Sequence, residues 1–90
     1  MASYEYWKNR ASTMETRIAA IECALQALDD IRSKYSDILE DNAGTDFPCG
    51  GIIAADNSAR EAEYKLLSEK YELSKEYNSV KTLRDFYKNA

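Results

Sequence analysis

The chain has 90 residues, enough for one small domain, and carries a formal charge of −4 with an isoelectric point near 4.8. That charge argues against a phosphate-backbone ligand, because nucleic-acid binders present basic stripes. Apolar residues at 44% are too many for a disordered chain, and one Pro with three Gly favours long helices.

No apolar run reaches the length of a membrane span. The opening Met1-Ala2-Ser3-Tyr4-Glu5-Tyr6-Trp7-Lys8 lacks a basic segment followed by an apolar one, so no cleavable secretory signal is expected. The chain is therefore expected in the cytoplasm, or exported by a route that reads no such signal. With no His and no closely spaced Cys pair, a zinc site is set aside, and no other cofactor is implied. Cys23 and Cys49 read as free thiols, since a first helix ending near residue 41 would hold them roughly 28 Å apart along its axis.

Residues 3–41 are predicted as helix 1. Read at alternating steps of three and four, they give Tyr4, Trp7, Ala11, Met14, Ile18, Ile21, Leu25, Leu28, Arg32, Tyr35 and Leu39. With heptad positions lettered a to g, these are the a and d positions, and Arg32 at an a position is the one polar interruption. Such a seam lies on one side of a long helix and must face another helix. Ser3 suits the cap, and Ser12-x-x-Glu15 offers a later alternative start. A second stripe, Ala20, Ala24, Ala27 and Ile31, runs beside the seam and predicts a second helical neighbour. Asn42-Ala43-Gly44 supplies the stop, with Gly44 or Asn42 able to take the left-handed conformation.

Residues 42–57 are predicted as the connection. It carries Phe47, Pro48, Ile52 and Ile53, which either fold back to close the hairpin or present an apolar docking tip. Ser58-x-x-Glu61 is a capping box, which predicts helix 2 over residues 58–89. Its seam is Ala59, Leu66, Leu73, Val80 and Tyr87, with Glu63, Lys70, Tyr77 and Arg84 between. Tyr64, Leu67 and Tyr71 form a displaced second row. The expected fold is all-α: an antiparallel, coiled-coil-like two-helix hairpin roughly 50 Å long. Dimerisation, or docking on another helical protein, would complete a four-helix bundle.

Two charge features bear on partners. Arg32 in the seam should fix register, with Glu63 or Glu69 as its expected partner. Residues 35–63 hold Asp37, Glu40, Asp41, Asp46, Asp56, Glu61 and Glu63 against Arg60 alone, while the open end is basic. That polarity favours antiparallel pairing of two hairpins. No constellation reads as catalytic: there is no His base, and no Ser or Cys with an activating partner.

The length, the acidic charge, the missing signal and a long helix opening with Tyr4-Glu5-Tyr6-Trp7 resemble small secreted helical-hairpin proteins of the Trp-x-Gly (WXG) class. They also resemble the helper proteins that escort LXG toxins to type VII secretion machines. The resemblance spans the chain at the level of architecture. The sole Trp is at position 7 rather than in the turn, and Phe86 is followed four residues later by Ala90 rather than an acid. No functional residue is carried over from the family. Type III secretion needle subunits and their helical chaperones are similar in the same way.

The expected function is a non-enzymatic interaction module, an adaptor or chaperone-like hairpin in a bacterial secretion system, with no direct nucleic-acid or small-molecule partner. Its partner-binding residues would be Ile18, Ile21, Leu25, Leu28, Arg32, Phe47, Pro48, Ile52, Ile53, Tyr64 and Tyr71. The alternative is a small acidic inhibitor, of the kind phages encode, that blocks a basic groove of a nucleic-acid-processing enzyme. Asp37, Glu40, Asp41 and Asp46 would then form the contact.

Overall fold

The computed structural model describes residues 3–89. They form two helices, α1 (Tyr4–Asp41) and α2 (Gly50–Lys88), joined by residues 42–49. The helices pack antiparallel over their whole lengths as an all-α hairpin, a rod of 69 × 15 × 13 Å. Helices of 38 and 39 residues rise roughly 57–59 Å, which with the loop accounts for a rod longer than expected.

Helix α1 begins where its side chains allow. The Ser3 hydroxyl accepts from the Tyr6 N–H at 3.4 Å, and the Ser12 capping box lies unused inside the helix. At the far end the Asn42 N–H and side-chain amide both donate to the Ile38 carbonyl, at 3.1 and 2.8 Å. Gly44 then turns the chain at φ +78, the one described residue in the left-handed region. Glycine meets that conformation without a Cβ clash.

The second helix departs from expectation. It begins at Gly50 rather than at residue 58, so the connection is 42–49 and not 42–57. The physical reason lies in its inner face. Ile52, Asp56 and Ala59 continue the row of Glu63, Leu66, Lys70, Leu73, Tyr77, Val80 and Arg84 at alternating steps of four and three, and all are buried or half-buried. Covering Ile52 against α1 and bringing Asp56 to Arg32 outweigh the poor helix propensity of Gly50 and Gly51 and the local cap at Ser58. The start carries no side-chain cap, which fits a helix end held by packing.

Every seam position of α1 from Tyr4 to Leu39 is buried or half-buried. The best-covered residues are small or slender: Ala11, Met14, Ile21, Ala59 and Val80. Ala11, Met14 and Val80 touch, with Trp7, Leu73 and Tyr77 around them. No large side chain is completely enclosed among the described residues. One helix cannot enclose another, and the core remains a thin strip.

Candidate protein-interaction surfaces

The register is held by an ion cluster part-way to the loop end. The Arg32 Nε donates to Asp56 Oδ1 at 3.1 Å and its Nη1 to Glu63 Oε2 at 2.9 Å. These bonds, that to Asp56 foremost, raise the Arg32 pKa further above its ordinary value and keep it charged. Arg60 approaches the other Asp56 oxygen at 3.9 Å from the solvent side. Glu69 is exposed and takes no part. Sliding α2 by one heptad would separate these charges in a half-covered site, so the cluster opposes slippage.

Peripheral ties define the two edges where the helices meet. On one edge Arg10 donates to Glu76 at 2.6 Å, joining a g position of each helix. On the other, Glu15 and Glu22, at e positions of α1, meet α2. Glu15 accepts from the Tyr77 hydroxyl at 2.6 Å and lies 3.9 Å from Arg84, while Glu22 lies 3.3 Å from Lys70. The g positions of both helices therefore border one broad face of the hairpin, and the e positions border the opposite one.

Each broad face carries an apolar stripe with no internal partner. On the g side, α1 presents Ala20, Ala24 and Ala27 and then Ile31 and Ile38, 41% and 37% exposed. On the e side, α2 presents Tyr64, Leu67 and Tyr71 at 66%, 50% and 63%, with Ile53 nearer the loop. The Lys75 ammonium sits 4.8 Å from the Tyr71 ring centre. These outward rows are more apolar than a lone hairpin needs, and clustered exposed apolar side chains mark contact surfaces.

The expected partner-binding residues divide between inside and outside. Ile18, Ile21, Leu25 and Leu28 lie in the inner seam, buried or half-buried, so a charge at Leu25 would break the hairpin before it tested a partner. Arg32 belongs to the ion cluster. Ile52 also joins the inner row, whereas Phe47, Pro48 and Ile53 are exposed at the loop end. Tyr64 and Tyr71 stand on the outer face. Asp37, Glu40, Asp41 and Asp46 are exposed and make no ion pair among the described residues.

Three features escaped the sequence reading. Asp56, inside the expected connection, stands one heptad before Glu63 and belongs to the inner row. Ile38, outside the expected second stripe, stands one heptad after Ile31 and extends it. The third is a groove of about 380 Å³ on the g side near the open end, floored by Met14 and Leu73 and bordered by Tyr6, Asn9, Arg10, Thr13, Arg17 and Glu76.

Among the described residues no cluster of His, Cys, Asp or Glu could hold a metal ion, and no helix is long and apolar enough to cross a membrane. Cys23 and Cys49 are free thiols. No protein-family model, curated protein or solved structure matches the chain.

Proposed function

We propose that this chain is a non-enzymatic protein–protein interaction module, an adaptor or chaperone-like hairpin that holds another helical protein in a secretion system. The observation that carries the reading is the row of Tyr64, Leu67 and Tyr71 on the outside of α2, where it contributes nothing to the hairpin's own core. Tyrosine and leucine at helical spacing suit an amphipathic partner helix, with rings buried and hydroxyls left at the rim. The rigid inner register presents this row as a straight platform.

A photo-crosslinking residue placed at Leu67 or Tyr71 in the native cell is expected to capture one helical protein. The same group at Ser68 or Ser79 should capture none. Affinity for that protein should change little with salt, because the contact is apolar.

A specific observation favours the second reading, a small acidic inhibitor. Asp37, Glu40, Asp41, Asp46 and Glu61 crowd one end of the rod without cationic partners. Capture from Asp41 and Asp46 only, with binding that weakens steeply as salt rises, would replace the adaptor by the inhibitor.

A further inference from the structure

We propose that a second copy of this chain packs antiparallel on the outer g side of α1, each copy seating its Ile38 in the other's groove. The inference rests on the interaction-module reading and assigns this face to self-association, leaving the Tyr64–Tyr71 face for the other partner.

The outer side of α1 is a second seam, running parallel to the inner one at alternating steps of three and four. It has three parts. Toward the open end, Arg10, Thr13 and Arg17 border the groove over Met14. The middle is small: Ala20, Ala24 and Ala27. Toward the loop stand the exposed Ile31 and Ile38, followed by Asp41. A two-fold axis between Ala24 and Ala27 maps each part onto its complement. Ala24 then meets Ala27, Ile31 lies over Ala20, and Ile38 lies over Thr13 between the two arginines. An isologous interface requires such self-complementarity, and every contact occurs twice. Alanines at the centre let two helices approach to about 8 Å, which gives the isoleucines depth to insert.

Charge selects the same orientation. The acidic loop end, with Asp41 in the outer seam itself, comes to lie beside the open end of the other copy. There Arg17, on this same face, makes no ion pair among the described residues. Asp41 falls opposite Arg10, whose fork has donors beyond the one that holds Glu76. A parallel arrangement would instead stack acid on acid. The antiparallel one contains one kind of like-charge juxtaposition, Arg17 against Lys34, occurring twice, and that defect makes the register testable.

The test is light scattering over a dilution series in reductant. The chain is expected to move between 10.2 kDa and twice that mass as concentration rises. Lys34→Glu replaces two repulsive pairs with two attractive ones and should tighten the dimer about three- to tenfold. Ile38→Asp should loosen it at least tenfold with helicity unchanged, since Ile38 lies outside the inner seam. Leu67→Asp should leave the mass curve as it was. A chain that stays at monomer mass at every concentration overturns the proposal, as does a dimer that Lys34→Glu weakens or leaves alone. A dimer lost with Leu67→Asp but kept with Ile38→Asp also overturns it, by placing self-association on the aromatic face. Crosslinking from Leu67 and Tyr71 tests the adaptor reading separately, and its failure alone leaves the dimer standing.

Discussion

The two helices are nearly equal in length, yet their inner faces differ in kind. Along α1 the seam is apolar at every step but Arg32. Along α2 one row is apolar, Ile52, Ala59, Leu66, Leu73 and Val80, while the other reads Asp56, Glu63, Lys70, Tyr77 and Arg84. A purely apolar pair of helices would bury more surface and slide more easily, because each heptad offers an equivalent register. Here α1 supplies burial and α2 supplies addresses: Asp56 and Glu63 for Arg32, Lys70 for Glu22, Tyr77 and Arg84 for Glu15. The cost is a thin core, with several of α2's larger apolar side chains turned outward.

The largest effect should come from the apolar side of this division. Val80 is among the best-covered residues and packs on Ala11 and Met14. Val80→Asp should abolish folding of the isolated chain, seen as loss of the helical circular-dichroism signal. Met14→Ala should cost about 2 kcal/mol, the lower end for a core methionine in so thin a strip, and lower Tm by roughly 10 °C.

The addressing side should respond differently. Arg32→Met leaves Asp56 and Glu63 facing each other with only Arg60, 3.9 Å from Asp56 on the solvent side, as a nearby cation. Tm should fall by several degrees at neutral pH. The triple change Arg32→Leu, Asp56→Ala, Glu63→Leu should recover the melting temperature. Distances between spin labels on α1 and α2 should then broaden, because register is no longer specified. A single sharp distance in the triple variant would mean that apolar packing alone sets the register.

Two smaller effects sharpen the picture. Gly44 sits at φ +78 with open space around it, so Gly44→Ala should cost only backbone strain, about 1 kcal/mol by urea titration. The hydrogen bond to Glu15 is the main cause that raises the Tyr77 pKa above the ordinary value of 10.0. A group whose folded pKa is raised stabilises fully below its unfolded pKa, and that contribution fades as pH rises through the folded one. The urea midpoint should therefore fall as pH climbs past about 10, and Tyr77→Phe should remove this part of the fall.

Helix α1 was legible to within a residue at each end because its period, cap and glycine stop agree. The pairing of Arg32 with Glu63 was legible because a lone cation in an apolar seam needs an acid at matching height. The start of α2 was not. Ser58 and Glu61 are a sound local signal, and Gly50-Gly51 reads as loop. Only the coverage of Ile52 by α1 and the pairing of Asp56 with Arg32 override both, and those are tertiary effects. Of the candidate surfaces, Tyr64 and Tyr71 could be found from spacing. That they face away from Ile31 and Ile38 follows only from which edge Arg10 and Glu15 occupy.

This division puts the folding of the chain in the inner seam and leaves the outer stripes out of it. It is tested most directly by thermal melting of the variant Ile31→Gln, Ile38→Gln, Leu67→Gln, Tyr71→Gln. The measurement belongs at the lowest workable concentration, where association no longer adds to stability. A helical chain that melts within a few degrees of the dilute parent is expected. A variant that has lost its helical signal would contradict it, by showing that the outer stripes belong to the folding core.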